Sequence, residues 1–333
     1  MKKILTAIIA LIFITPNAHA ISLFKKNSEN TTMQSVRSFV AKKTLEYEVK
    51  SELKEQEKQI QKVLDEILNA SNAHDVQTIA KHYDKSYVSY DGFKYDTFVE
   101  MMEETFKTYK DISYKSDVKN ITISGDEAFV NLIDYTSATL QNDDSKKEKM
   151  QFSPELSVGY LEGVCNYVIH FKKNHGEWKI IGDTIIYEAN SVKYGAAKDV
   201  KMELSAPIKT KRGEDYCVTL KMSDLKKTKA IAALGNEMII YPSNEPKEIF
   251  RKMPSEGILE RIVHPNKKGL NEYAIASIGL TKIDLLEDLS AIRFQMTGFA
   301  FLMQRVNFYD EKNPINENKK EEKEVKASVE NEG

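Results

Sequence analysis

From Val36 to Ala70 the apolar positions recur at helical spacing. Val49, Leu53, Ile60, Val63 and Ile67 follow one another at steps compatible with three and four residues, with Gln56 filling the gap. Lys54, Glu55, Glu57, Lys58, Lys62, Asp65 and Glu66 take the other side. This predicts an amphipathic helix with its apolar stripe on a core. A coiled-coil seam is the alternative, but the repeat is short for one. Asn72-Ala73-His74-Asp75 interrupts the pattern, and Val76, Ile79, Ala80 and Tyr83 predict a short second helix. Tyr87 to Tyr90 reads as extended, and Asp91-Gly92 as a turn. A third helix is expected from Phe98 to Tyr109, capped by Asp96 or Thr97. Its inner side would carry Phe98, Met101, Met102, Thr105, Phe106 and Tyr109.

Beyond this the period shortens to two. Strands are expected at Ser113–Ile123, Ala128–Leu140, Gly159–Lys172 and Glu177–Tyr187, with a charged loop at Gln141–Lys149. Asn174-His175-Gly176-Glu177 would turn the last hairpin, and Trp178 would pack in the core or on the sheet. Helices first and long antiparallel strands after predict a cone-shaped sheet with a pocket. From about 200 to 310 the strands are shorter: Lys201–Ala206, Tyr216–Met222, Lys229–Leu234, Glu237–Tyr241, Gly257–Val263, Glu272–Ile278 and Ala291–Phe308. Prolines 207, 242, 246, 254 and 265 punctuate them, which predicts a β-sandwich. Leu280–Leu289 reads as a short helix or a crossover. From Asp310 onward eight acids and five lysines with few apolar groups predict a disordered tail, because little surface is there to bury.

The first twenty residues look like a targeting segment. Lys2 and Lys3 precede an apolar run from Ile4 to Ile14, then Pro16 and an Ala18-His19-Ala20 cleavage site. The run is short of the ~20 residues that a spanning helix needs. The expected product is a periplasmic or secreted protein with no transmembrane segment in its mature chain. The resulting organisation is a signal peptide at 1–20, a mobile or helical lead-in at 21–50, a cone at 51–195, a β-sandwich at 200–309 and a tail at 310–333. With 48 basic and 50 acidic side chains and no clustered basic face, nucleic acid is not an expected partner. Alternation turns Cys165 toward Tyr167, Ile169 and Phe171, and Cys217 toward Asp215 and Thr219, so the two cysteines are expected to stay unpaired.

Common catalytic signatures are missing. No H-E-x-x-H, C-x-x-C, G-x-S-x-G or phosphate loop occurs. His74 and His82 stand eight apart, ~12 Å of helical rise, too far to share an ion without other ligands. No metal site and no cofactor are expected. A cone pocket can still run acid–base chemistry with a buried carboxylate, whose proton affinity burial raises. The candidates are Asp134 and Tyr135 on one strand, His170 on the next, Asp183 and Tyr187 on the last, and Tyr87 and Tyr90 before the third helix. Asp183 is the first choice for a catalytic group, because it interrupts a strand dominated by isoleucine. Alternation puts Tyr187 on its side. Tyr87, Tyr90, Tyr135, His170 and Tyr187 are the candidate ligand-binding residues.

Residues 52–195 resemble the nuclear transport factor 2-like superfamily, in particular its SnoaL-like and ketosteroid-isomerase-like branches. The resemblance is carried by Glu57–Ala70, by His74–Tyr83 leading to Tyr87-Val88-Ser89-Tyr90, and by the hairpin Val168–Gly182 with Gly176-Glu177-Trp178-Lys179-Ile180. It implies an α+β fold with N-terminal helices on a cone-shaped antiparallel sheet. Such domains include isomerases, cyclases, dehydratases and protein-binding modules, so the resemblance transfers no catalytic residue. The C-terminal part is only loosely immunoglobulin-like. The leading expectation is an exported, non-catalytic binding protein using the cone and the sandwich. Its partner would be a small apolar ligand, an envelope protein or a second copy. The alternatives are a small-molecule isomerase or lyase and a structural role in envelope assembly. Export predicts a mature protein beginning at Ile21; an intact mass that still contains Met1 would refute it.

Overall fold

The protein is described by a computed structural model covering residues 29–141, 156–223, 229–243, 249–285 and 292–310. The expected signal peptide, the charged loop after Gln141 and the tail after Asp310 lie outside the described residues. Residues up to Gln56 and residues from Glu57 onward form two compact units.

The first unit holds the opening part of helix α1 (Glu29–Asn72). Lys43 and Glu46 pair across one turn at 3.0 Å. Phe39, Leu45, Tyr47, Val49 and Leu53 are all exposed here. Val49 and Leu53 therefore do not belong to a core stripe. Among the described residues this unit has no other element to cover them.

In the second unit the stripe does its expected work. Ile60 and Leu64 are buried, with Val63 and Ile67 packed beside them. Helix α2 (Val76–Ala80) is capped by Asp75, which accepts from the Thr78 amide at 3.0 Å. Strand β1 (Tyr83–Val88) follows, then helix α3 (Tyr95–Thr108). Lys94 stands at the cap position and makes no side-chain cap bond, so neither Asp96 nor Thr97 caps α3. Asp96 instead adds a negative charge to the first turn, where the helix dipole favours one.

Strands β2 (Ser113–Ser124), β3 (Glu127–Gln141), β4 (Val158–Asn174) and β5 (Glu177–Gly195) form an antiparallel meander. A 3-10 turn (Ala196–Asp199) leads into β6 (Met202–Ser205), β7 (Lys209–Lys211), β8 (Tyr216–Met222), β9 (Lys229–Met238), β10 (Arg251–Lys252), β11 (Ile258–Val263), β12 (Glu272–Leu285) and β13 (Ile292–Tyr309). Two expected strands near residues 229–241 are one continuous β9. β12 runs on to Leu285, as strand rather than helix.

A large sheet runs in the order β10-β9-β12-β13-β5-β4-β3-β2. Strand β5 is its axis. One edge pairs with β4 throughout. The other edge is divided: β1 lies parallel to it near Ile180 and Gly182, and β13 lies antiparallel to it from Ala189 to Gly195. A second sheet, β11-β8-β6, has three strands. Its inner residues Tyr216, Val218, Leu220 and Met222 share a core with alanines of β9, β12 and β13 and with Leu302 and Val306. On β13 the neighbouring Arg305 and Asn307 turn to the opposite face, the face that carries α1. The fold is thus α+β, mostly antiparallel sheet with few helices.

The crossing of β5 and β13 depends on two glycines that face each other, Gly195 and Gly298. Gly195 has φ 54, which suits glycine. A Cβ on Gly298 would stand 2.6 Å from the Ala197 amide nitrogen and 2.8 Å from the Tyr194 carbonyl oxygen. Backbone on both sides cannot swing away as a side chain would. Gly298→Ala is expected to lower unfolding free energy by ~1–3 kcal/mol in a urea titration. A loss below about 0.5 kcal/mol would show that the seam is not tightly packed.

Candidate active site

A cavity of about 260 Å³ lies between α1, α3 and the sheet. Leu64, Phe98, Phe106 and Leu132 give it apolar walls. Two carboxylates line it, Asp65 on α1 and Asp134 on the sheet. On β3, Asp134 stands opposite Cys165 of β4 and Ser116 of β2. The Tyr167 hydroxyl donates to Asp134 Oδ2 at 2.6 Å. The second oxygen, Oδ1, is buried and has no hydrogen-bond partner of proper geometry. Burial holds the Asp134 carboxyl above the usual range, against the opposing pull of Ser116 and Tyr167. The Tyr167 hydroxyl is driven well up by burial and by the Asp134 charge. Tyr114, another wall residue, is pushed up to about 12 by the same two causes.

Asp183 is a second acid, half-buried on β5. It accepts from the Tyr87 hydroxyl and, at 3.0 Å, from the Tyr90 amide. Burial raises its proton affinity, while these two bonds lower it. Asp91 adds to the rise and Arg305 opposes it. Between the two acids stands Tyr83, whose ring meets Tyr87 edge-on at 5.0 Å and Phe98 at 4.5 Å. Burial, then the charges of Asp183 and Asp134, raise its hydroxyl pKa.

Behind Asp183 lies a buried ionic cluster. Arg305 is 1 % exposed and bonds Asp91, in the turn before α3. Its Nε donates to Asn307 Oδ1 at 2.7 Å, and Nη1 stands 3.7 Å from Glu188. Asn271 donates to Asp91 at 2.9 Å, and the Tyr273 hydroxyl donates to Glu188 at 2.9 Å. Strands β12 and β13 thereby hold the turn that presents the Tyr90 amide to Asp183. A different buried acid, Glu272, accepts from Tyr216, from Asn236 and twice from Asn266. Four donors leave it no capacity for a ligand, which makes it a structural staple.

No protein-family model matches the chain, and neither does any curated protein. Partial likenesses to solved structures exist. A putative dehydratase of the nuclear transport factor 2-like family from Streptomyces avermitilis is 15 % identical, with a TM-score of 0.29, over 38 % of this chain and 93 % of that one. A type 2 hexachlorocyclohexane dehydrochlorinase is 11 % identical, with a TM-score of 0.31, over 40 % of this chain and 86 % of that one. Bd1075 of Bdellovibrio bacteriovorus is 16 % identical, with a TM-score of 0.31, over 40 % of this chain and only 42 % of its own. The chemistry has to be read from this chain's own residues.

Of the seven candidates from sequence, Tyr87, Tyr90 and Asp183 meet, and Asp134 lies in the cavity with Tyr167. Tyr187, His170 and Tyr135 stand elsewhere. The pairing of Asn166 with Tyr187 and of Tyr167 with Ile185 leaves Ile186 as a bulge. The bulge resets alternation, so Tyr187 shares a face with Asn166, away from Asp183. His170 stacks on Phe129 at 4.4 Å, on the face opposite Ile169. Tyr135 is 49 % exposed and stands opposite Val164, again across the sheet from Asp134. Tyr83, Tyr167, Asp91, Glu188, Tyr273 and Arg305 were not foreseen as site residues. One signal could have marked Arg305: a cation inside the largely apolar stretch Phe299–Phe308 needs a buried partner. Among the described residues no three His, Cys, Asp or Glu side chains gather as a metal site would require. Both cysteines are free, Cys165 half-buried and Cys217 exposed.

Tyr87→Phe would leave Asp183 without its hydroxyl donor. The expected cost is ~1–3 kcal/mol at pH 7. An acid whose folded pKa is raised contributes stability below its unfolded pKa and loses it as pH rises through the folded value. The variant raises that pKa further, so its deficit should shrink between pH 7 and pH 4. Urea unfolding at both pH values decides; an equal deficit would mean that the charge of Asp183 is not involved.

Proposed function

We propose that the chain is an exported protein whose cone cavity takes up a small, mainly apolar molecule and holds its polar group on Asp134 and Tyr167. One observation carries the reading: Asp134 Oδ1 is buried without a hydrogen-bond partner, on an acid that lines a cavity with largely apolar and aromatic walls, where Gln61, Asp65, Ser71 and Ser116 are the other polar non-aromatic residues. An unpaired buried acceptor is unfavourable, and a ligand donor would offset that. Export rests on the leader-like first twenty residues. The small sheet and the β9–β12–β13 end of the large one, read together as a β-sandwich, would supply a second interaction surface.

A second reading is acid–base isomerisation or elimination in the same cavity. It is favoured by the raised proton affinity of Asp134: a carboxylate poorly solvated by water is a stronger base toward a carbon acid. The neighbouring Tyr167 hydroxyl would hold the carboxylate in place through its 2.6 Å bond.

The test is a thermal-shift screen of small cyclic ketones and alcohols on wild type and Asp134→Asn. A true ligand should raise Tm by several degrees at about a hundred times its Kd. The amide variant should lose most of that shift while retaining a cooperative melt. A ligand whose shift is the same in both proteins would remove Asp134 from the site. Turnover in wild type, abolished in the variant with binding retained, would select the catalytic reading.

A further inference from the structure

A second pocket, of about 320 Å³, opens at the β4–β5 hairpin. It shares no lining residue with the cone cavity. Gln59 and Val63 of α1 form one wall, and Lys81, His82, Trp178 and Lys179 the other. The hairpin turns sharply through His175 at φ 50 and Gly176 at φ 87. Alternation after that turn sends Trp178 inward with Ile180 and leaves Lys179 beside the rim.

Trp178 is 3 % exposed, and its indole Nε1–H is buried without an acceptor. Tryptophan can only donate here, so the missing partner must be an acceptor. The charges around it are partly engaged. Lys179 Nζ donates to the Lys81 carbonyl at 2.8 Å and stands 3.1 Å from Glu177. Lys81 Nζ is 3.9 Å from Glu66, and its side chain is 56 % exposed. His82 Nε2 is 3.0 Å from Glu66 but out of line for a hydrogen bond. Burial keeps His82 toward its neutral form; Glu66 opposes this, and Lys81 and Lys179 reinforce it. The Lys173 ammonium lies 5.5 Å from the indole centroid. Three lysines thus face two glutamates around an unsatisfied donor.

We propose that this hairpin pocket binds a small oxyanion, received by the indole N–H of Trp178 with Lys81 and Lys179 supplying charge. Carboxylate and phosphate share the required chemistry, negative oxygen acceptors; the Glu177 carboxylate in the lining opposes them, and its charge is met by Lys179 at 3.1 Å. Either would give the tryptophan its acceptor and a charge-assisted bond to an ammonium group. The site is independent of the cone reading, since it uses neither Asp134 nor Tyr167.

The chain has one tryptophan, so ¹⁵N-labelled protein gives one indole cross-peak. The experiment titrates that peak with sodium acetate, with inorganic phosphate, and with sodium chloride at matched ionic strength. Trp178→Phe identifies the peak by removing it. The expected result is a downfield, saturating shift with acetate or phosphate and none with chloride; whichever saturates assigns the anion class. Lys81→Met, a change at an exposed side chain, should weaken the apparent affinity by about tenfold. Asp134→Asn should leave it unchanged, which separates this site from the cone cavity. A drift common to all three salts, no shift at all, or a saturating shift unaltered by Lys81→Met would each overturn the proposal.

Discussion

A guanidinium group cannot leave water without a partner, and in this fold it has left water almost entirely. Arg305 of β13 pairs with Asp91, 214 residues earlier; Asn307 takes its Nε–H, and Glu188 stands 3.7 Å from Nη1, which has no hydrogen-bond partner. Removing one member of such a pair leaves an uncompensated buried charge, which is far worse than lacking the pair altogether. The geometry that satisfies Arg305 therefore has to form whole. It brings the turn before α3 against β12 and β13, and it fixes the Tyr90 amide against Asp183. The polar surroundings of Asp183 are thus organised from a strand more than a hundred residues further along the chain.

Strand β5 translates that constraint into the sheet. Its first half carries Trp178 and Asp183 and pairs with β1; its second half carries Glu188 and pairs with β13. The bulge at Ile186 lies between the two halves. Without it, Glu188 would face away from Cys165 and from the helix-bearing side, and Arg305 would lose one acidic neighbour. The same bulge removes Tyr187 from the site, so one irregularity decides which polar residues can cooperate.

Much of the regular structure was legible, because burial imposes a period that sequence displays. The alternation of β8, with Tyr216, Val218, Leu220 and Met222 inward, is an example, as is the inward place of Trp178. What was hidden came from interactions with no local trace. Strand β5 continues past Tyr187, where the expected strand ends, through the polar Glu188, Asn190 and Ser191, whose backbone partners come from two neighbouring strands. Val49 and Leu53 fit a core stripe by spacing, yet spacing cannot say where the core ends. At the site, Tyr87, Tyr90 and Asp183 were reachable from residue type and position. Asp134 was weighed without a face, since choosing between two sides of a sheet needs the helices in place. Tyr187 stands on the face away from Asp183 because of a bulge that has no composition signature here.

The divided edge of β5 also bears on how the chain reaches its fold. Gly195 meets Gly298, so this edge waits for a strand made about a hundred residues later. Until then it presents unpaired amides and carbonyls beside a half-built cluster of acids whose arginine has not yet been synthesised. Pairings of such long sequence separation form slowly, after the entropy of a large loop has been overcome. Any state in which the N-terminal sheet has formed before β13 docks therefore carries an open edge, the kind of surface that favours pairing with another chain.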